Sequence, residues 1–117
     1  MTTPIAHYAP IVRHGDWLVT SGQLGAVDGQ LVSGGVRAEA TQALANVTSL
    51  LAGEGAGLDD VVKATVFLRH MRDFPIVNEV WASTFGDHRP ARSTVAVAEL
   101  PLHALVEIEV WARVRGS

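Results

Sequence analysis

The stretch LVEIEVWARV, residues Leu105–Val114, decides the fold class of this chain. Its apolar and polar side chains alternate with a period of two, which is typical of a β-strand whose faces meet different surroundings. One face is predicted to contact a hydrophobic core, through Val106, Ile108, Val110, Ala112 and Val114. The other face holds a mixed set, namely Glu107, Glu109, Trp111 and Arg113. Together with Phe67 and Val61, which are expected on the same sheet face, this set is too apolar for water and too polar for a core, and it indicates an interface with another subunit.

Two helices are predicted upstream of this strand. Apolar residues recur at helical spacing from Val36 to about Ala52, and the glycine cluster GEGAG at Gly53–Gly57 ends that helix. The cluster follows its helix, whereas a phosphate-binding loop precedes one, so we interpret it as a C-cap. A second helix is expected, with Asp73 as its N-cap and Pro75 in its first turn. Its inward stripe consists of Phe74, Val77, Val80, Trp81 and Phe85, and Gly86 ends it.

The other segments are typical of strands and turns. Asp16–Gly25 predicts a strand that ends in a glycine-containing turn, and Tyr8–His14 predicts its partner strand. A tight turn with a stub of strand on each side is predicted for Val27–Val32. Two further strands are expected at Asp60–His70 and Arg92–Ala98.

Strands, a helix, a strand, a helix and two strands in this order predict an α+β fold with a mixed sheet. Both helices must bury an apolar stripe, and the simplest arrangement packs them on one face of the sheet. Along Asp60–His70 the core face is predicted to hold Val62, Ala64, Val66 and Leu68. The open face is predicted to hold Val61 and Phe67.

The composition suits one domain, residues 1–117, because a chain of 117 residues can bury its own core. Of these residues 48% are hydrophobic and 18% are charged, which again favours a subunit interface. The net charge of −3 and the lack of a basic run make nucleic acid an improbable partner. No signal peptide or membrane-spanning run is present, so a cytoplasmic protein without a membrane partner is expected.

Several kinds of catalytic site are excluded or disfavoured. The chain has no cysteine, which rules out disulfides, thiolate nucleophiles and cysteine-based zinc sites. Its five histidines show no metal-ligand spacing and are interpreted as loop or surface residues, so no metal is predicted. Rossmann and Walker fingerprints and the Gly-x-Ser-x-Gly elbow are also absent, and no cofactor is expected.

Arg92 is the residue that calls for an explanation, because it stands at the start of an apolar strand in RPARSTVAVAEL, Arg89–Leu100. It is either a structural ion-pair partner of Glu107 or Glu109, or a binding group. Other polar residues lie on or beside apolar elements and are each open to a structural or a functional interpretation: Ser21, Gly22, Asn78, Thr94 and Glu107. Thr94 is predicted on the same face as Arg92, since the two are separated by one residue.

Four segments in register resemble the Rid family, also called YjgF/UK114. They are TSGQ (Thr20–Gln23), VVKATVFLRHMRDFPIVN (Val61–Asn78), RPARSTV (Arg89–Val95) and VEIEVWA (Val106–Ala112). The resemblance extends from about Tyr8 to Arg115. It implies a chorismate-mutase-like fold and a homotrimer with the open sheet face inward and active sites in clefts between subunits.

The resemblance also implies an activity and a set of site residues. RidA-like members are deaminases that hydrolyse reactive 2-imino acids such as 2-iminobutanoate and 2-iminopropanoate to 2-keto acids and ammonia, without a cofactor. By motif position, Arg92 and Glu107 would be catalytic. The substrate would be bound by Arg92 together with Tyr8, Ser21, Gly22, Asn78 and Thr94.

Those residue types suit that chemistry. Arginine offers a planar pair of donors for the carboxylate of an imino acid. A glutamate such as Glu107 can orient or deprotonate the attacking water, and the backbone at Thr94 could hold that water, as the resemblance suggests. This sequence departs from the family in AHYAPI around Tyr8, in Thr94 where cysteine is common, and in a shorter loop before PARS. The changes around Tyr8 and in the loop before PARS fall on the expected pocket walls. They are therefore expected to affect which substrates the pocket accepts.

Two other functions are considered beside imine hydrolysis. A non-catalytic binder or sensor of small carboxylate metabolites would also retain Arg92, and it would bind a ligand without turnover. A ribonuclease activity, which the family's older label suggests, is disfavoured by the acidic composition.

Overall fold

The structure, a computed structural model, describes residues 6–114. The ends of the predicted domain, including Arg115, lie outside the described residues. A six-stranded mixed sheet has the order β1-β2-β8-β6-β7, with β3 also paired to β8, and only β6 and β7 run parallel. The strands are β1 Ile11–His14, β2 Trp17–Thr20, β3 Gln23–Leu24, β6 Val61–Leu68, β7 Ala91–Ala96 and β8 Val106–Arg113, and a separate hairpin joins β4 Ala26–Val27 to β5 Gln30–Leu31.

Two α-helices pack on one face of this sheet, as predicted. Helix α1 spans Gly35–Ala52 and helix α2 spans Phe74–Phe85. Their apolar stripes and the inward side chains of β2, β6 and β8 form one buried cluster, in which Leu18, Leu44, Leu68 and Ile108 are at most 1% exposed. The alternation predicted for the last strand is confirmed, because its even-numbered residues from Val106 to Ala112 are buried. The result is an α+β architecture with one covered and one open sheet face.

The face assignment predicted for Val61 and Val62 is wrong. Val61 is buried in the core, whereas Val62 is exposed. The pairing of β6 with β8 shifts register between Val61 and Lys63, which is the mark of a β-bulge. A bulge inserts one extra residue and so reverses the alternation on its N-terminal side. Beyond it, the predicted core positions Ala64, Val66 and Leu68 are correct.

The start of α2 differs in detail from the prediction. Asp73 occupies the N-cap position, but its side chain makes no capping hydrogen bond. It ends a short 3-10 turn, Met71–Asp73, so its backbone is already close to helical. Pro75 lies in the first turn, where its missing N–H costs little. The cluster Gly53–Gly57 does end α1, and the Gly53 N–H donates to the Ser49 carbonyl 3.1 Å away.

A buried carboxylate that the sequence pattern did not single out ties α1 to the sheet. Glu39 is 5% exposed, and its Oε1 accepts a hydrogen bond of 2.8 Å from the backbone N–H of Leu105. Gly25 is buried against the same turn of the helix. A Cβ at Gly25 would lie 2.7 Å from the carbonyl carbon of Glu39 and closer still to its Cα and carbonyl oxygen. Only glycine therefore lets the chain after β3 pass so close to α1.

Gly25→Ala is expected to lower the free energy of unfolding by about 1–3 kcal/mol, because backbone atoms cannot move aside as side-chain ends do. The urea midpoint at a fixed protein concentration measures this change. Gly57→Ala is the matched control, since its Cβ would meet open space and its φ of −133° suits any residue. Equal midpoints for the two variants would show that α1 shifts freely at Gly25.

The open face of the sheet carries a band of apolar side chains. Val12, Val19 and Trp111 align across β1, β2 and β8. Val12 and Trp111 are each about half exposed, at 52% and 46%. Trp17 meets Trp111 edge to face with ring centroids 6.0 Å apart. Exposed apolar bands of this kind are typical of interaction surfaces. None of the described helices combines the length and apolar character that a membrane crossing requires.

Candidate functional site

Arg92 lies on the covered face of the sheet, at the edge strand β7. It pairs in register with Ala64, whose side chain is fully buried beneath the helices. The Arg92 guanidinium carbon sits 5.0 Å from the ring centroid of Trp81 and 5.5 Å from that of Phe74, both on α2. Cation–π contacts with two rings fix the orientation of the planar group. Thr94 follows on the same face, as predicted, opposite Val66.

Asn78 also holds the Arg92 side chain in place. Its Oδ1 accepts a hydrogen bond of 2.5 Å from Nη2 of Arg92. Burial lowers the pKa of the Arg92 guanidinium, yet an arginine stays charged at any physiological pH. A guanidinium carries five N–H groups, so most of them remain available to an anion. We refer to Asn78, Arg92 and Thr94 as the arginine cluster.

A cavity of about 320 Å³ opens beside the arginine cluster. Its walls come from α2 and from the loop that joins α2 to β7. They consist of Asn78, Trp81, Ala82, Phe85, Gly86, His88, Arg89, Pro90 and Arg92. Two arginines and no acidic residue line it. The cavity is therefore suited to an anionic ligand that occupies a partly apolar space.

Glu107 lies on the opposite face of the sheet from Arg92. It pairs with Phe67 on one side and with Leu24 on the other. The structural alternative for Arg92, an ion pair with Glu107 or Glu109, is therefore wrong within one chain, since neither glutamate of the same chain is within ion-pair distance of it. Burial and, after it, the charge of Glu109 raise the pKa of the Glu107 carboxyl. A carboxylate with a raised pKa is a better proton acceptor.

Gly22 makes room for the Glu107 carboxylate. A Cβ at Gly22 would lie 2.6 Å from Cδ of Glu107 and closer still to its Oε2. The ladder is interrupted here, because β2 ends at Thr20 and β3 begins at Gln23. The buried Thr20 hydroxyl fills the gap and accepts the Val110 N–H at 3.0 Å. The break thus places a glycine directly against the carboxylate.

Ser21 fixes the segment that follows Tyr8. Its Oγ donates to the carbonyl of Ala9 at 2.6 Å, and its backbone N–H donates to the carbonyl of Pro10 at 2.9 Å. Tyr8 itself is 47% exposed. We refer to Ser21, Gly22 and Glu107 as the glutamate cluster; Tyr8 directly precedes Ala9, whose carbonyl accepts from Ser21. Within this cluster, Ser21 uses its two hydrogen bonds to hold the backbone of Ala9 and Pro10 in place.

The predicted site residues therefore form two groups rather than one. Asn78, Arg92 and Thr94 come together on the covered face, whereas Gly22 and Glu107 come together on the open face. A sheet separates the arginine from the glutamate within one chain. A small substrate could contact both groups only if a second copy of the chain supplied one of them.

Sequence patterns missed three residues around Arg92. The sequence pattern assigns Phe74 and Trp81 only to the apolar stripe of α2, although both rings also contact the guanidinium. The sequence predicts His88 as a loop or surface residue, and it does lie in a loop. It is half-buried in its loop, and its Nε2 donates to the Val61 carbonyl at 2.7 Å. Within residues 6–114 no three acidic or histidine side chains converge to hold a metal ion.

Comparison with known proteins adds a family to this geometry. A family model described as Endoribonuclease L-PSP matches residues 1–114. A Dermatophagoides farinae protein named 2-iminobutanoate/2-iminopropanoate deaminase is 44% identical over 108 residues, which cover 91% of this chain and 84% of that protein. A Saccharomyces cerevisiae protein named MMF1, mitochondrial, is 39% identical over 108 residues, with 92% of this chain and 74% of that protein covered.

The same fold is found among solved structures. The crystal structure of E. coli TdcF with bound serine is similar to this chain with a TM-score of 0.90 and 33% sequence identity. The match covers 96% of this chain and 91% of that one. The ligand in that crystal is a small amino acid and so carries a carboxylate.

Proposed function

Because this chain belongs to the Rid (YjgF/UK114) family, we propose that it hydrolyses reactive 2-imino acids to 2-keto acids and ammonia. Its substrates would be the imine and enamine tautomers that pyridoxal-phosphate enzymes release, with 2-iminobutanoate and 2-iminopropanoate as the reference compounds. The name of the relative from Dermatophagoides farinae supports this reaction. We propose residues 1–117 as a single catalytic domain, and a cytoplasmic location stays a prediction beside the mitochondrial relative from yeast.

The observation that carries this proposal is the fixed guanidinium of Arg92 beside a cavity without acids. Two aromatic rings and Asn78 hold it, and its remaining donors are free to bind a carboxylate. A planar pair of N–H groups orients a carboxylate in one plane, which a lysine cannot do. The imine carbon, attached to that carboxylate, would then be held in a defined direction.

We propose that the chain forms a homotrimer of the chorismate-mutase-like type, with the open sheet faces inward. The exposed side chains of Val12 and Trp111 in the apolar band, and that of Val95 on β7, support a covered open face. The separation of the two clusters supports a site shared between subunits, with the arginine cluster from one chain and the glutamate cluster from its neighbour. In such a closed ring every chain contributes to two sites.

The reaction needs water, a proton acceptor and a held imine. Water adds to the carbon of the protonated C=N group while the Glu107 carboxylate takes one proton from it. Glu107 then returns this proton to the nitrogen of the carbinolamine. As the C–N bond breaks and ammonia leaves, the hydroxyl group loses its proton to Glu107, and the 2-keto acid remains. Arg92 holds the carboxylate throughout, and the backbone at Thr94 is proposed to hold the water. Ser21, Gly22, Asn78 and Tyr8 shape the site.

Timing keto-acid release tests the proposal. Purified protein is added to a pyridoxal-phosphate dehydratase that acts on serine, and the formation of pyruvate is followed. Faster release with this chain, abolished in the Arg92→Ala variant, is the expected result. Equal release with and without the protein would overturn the proposed reaction. Retained affinity for small carboxylates without turnover would instead identify a binder.

The Glu109→Gln variant should extend activity to lower pH. Glu109 is the second cause of the raised pKa of Glu107, after burial. Removing its charge lowers the pKa of Glu107, so the basic carboxylate persists further into the acid range. The acid limb of the kcat/KM profile should therefore move to lower pH. Glu99→Gln, an exposed acid outside both clusters, is the control. An unmoved limb would show that Glu107 is not the titrating base.

A further inference from the structure

Arg89 is a second cation on the wall of the cavity that holds Arg92. Both arginines line the same space of about 320 Å³, together with His88 and without an acidic residue. The second cavity of comparable size, about 370 Å³ between α1 and the β4–β5 hairpin, includes Asp28 and Glu54 in its lining. Of these two cavities, only the Arg92 cavity has a cationic lining, in a chain whose net charge is −3.

The Arg89 side chain forms no hydrogen bond or ion pair within residues 6–114. The three ion pairs seen there involve Arg13, Arg37 and Arg113. Asp87 lies two residues before Arg89, but it does not line the cavity and forms no ion pair with Arg89. An exposed, unpaired arginine on a cavity wall keeps its donors for whatever enters that cavity.

The loop fixes where Arg89 can reach. Three residues of extended chain span at most about 10–11 Å, so Arg89 and Arg92 are close neighbours along the wall. Pro90 between them has a locked φ and limits the directions the loop can take. The Gly86 N–H donates to the Ala82 carbonyl and the His88 side chain donates to the Val61 carbonyl, so the chain before Arg89 is tied to the fold. On the other side of Arg89, Ala91 begins β7 and pairs with Lys63.

We propose that this chain prefers 2-imino acids with a second acidic group, the 2-imino dicarboxylic acids, and that Arg89 is the residue that determines this specificity. Arg92 binds the carboxylate next to the imine carbon, and Arg89 binds the distal carboxylate. This inference rests on the proposed imine hydrolysis. The chemistry at the imine carbon is unchanged, because the distal carboxylate takes no part in it.

The test compares two imines formed in situ by amino acid oxidases. The imine of aspartate carries two carboxylates and the imine of alanine carries one. Hydrolysis is followed as loss of the semicarbazone that each imine forms when trapped. Wild type should show the higher kcat/KM on the aspartate imine. Arg89→Gln should lower that value about tenfold through KM, with little effect on the alanine imine. Arg89→Lys should retain an intermediate value, since it keeps the charge but not the planar fork.

Controls separate this inference from the proposed function. Arg69→Gln removes an exposed arginine outside both cavities and should leave the substrate ratio unchanged. Activity on both imines with no effect of Arg89→Gln on their ratio would overturn the inference alone. No activity of wild type on either imine would overturn the proposed function. In that case calorimetric binding of succinate and propionate still tests Arg89, and equal affinities in wild type and Arg89→Gln would overturn its role.

Discussion

Replacing Arg92 with alanine is expected to lower kcat/KM for 2-imino acid hydrolysis by about 100-fold or more. A preorganised donor that orients a substrate can be worth about 100-fold in rate, because misplacing the reacting atoms by about 1 Å has a cost of that order. Arg92 has that preorganisation, because Phe74, Trp81 and Asn78 hold its plane. The variant loses both the carboxylate anchor and the direction of approach that the anchor sets.

The Arg92→Lys variant separates charge from geometry. Lysine keeps a positive charge but presents a compact ammonium without the fork that grips a carboxylate. We therefore expect it to recover only a small part of the activity lost in Arg92→Ala. A lysine variant as active as wild type would show that net charge alone is required.

Folding must be checked in both variants. Arg92 is only half-buried, and it forms none of the ion pairs within residues 6–114. Water can replace it beside Asn78, so the thermal midpoint should stay within a few degrees of wild type. Activity within about threefold of wild type in a folded Arg92→Ala protein would contradict the role given to this arginine.

Much of the fold follows from local pattern. The alternation of Val106–Arg113 and the helical spacing in α1 each report a burial preference that repeats along one element, and both predictions are confirmed. The sequence pattern could not predict the bulge at Val61 and Val62, because both residues are valine and either could face the core. Pairing with β8 decides between them, and that is a tertiary contact.

The site was less accessible to sequence reasoning. A period of two places Arg92 and Thr94 on one face, but it does not say which face. The choice depends on the parallel pairing with Ala64 and Val66, whose side chains are buried under the helices. The contacts of Arg92 with Trp81 and Phe74 and the hydrogen bond of Glu39 to Leu105 join residues far apart in the chain. A list of site residues therefore could not show that Arg92 and Glu107 lie on opposite faces.

Mixed oligomers of two inactive variants should regain activity if each site takes Arg92 from one chain and Glu107 from its neighbour. Arg92→Ala damages the arginine cluster and Glu107→Gln damages the glutamate cluster. A site is intact when a Glu107→Gln chain supplies Arg92 and an Arg92→Ala chain supplies Glu107. Equal amounts, unfolded and refolded together, should give about a quarter of wild-type activity, because random order in a closed ring leaves one site in four with both native residues.

The recovered activity depends on which clusters are damaged. Arg92→Ala refolded with an Arg92→Ala/Glu107→Gln double variant should stay inactive, since no chain in that mixture carries Arg92. The two single variants refolded apart and then combined should also stay inactive until their subunits exchange. Native mass spectrometry confirms that mixed oligomers have formed. Mixed oligomers without activity would contradict the shared site, and a substrate would then have to meet Arg92 and Glu107 of one chain across the sheet that separates them.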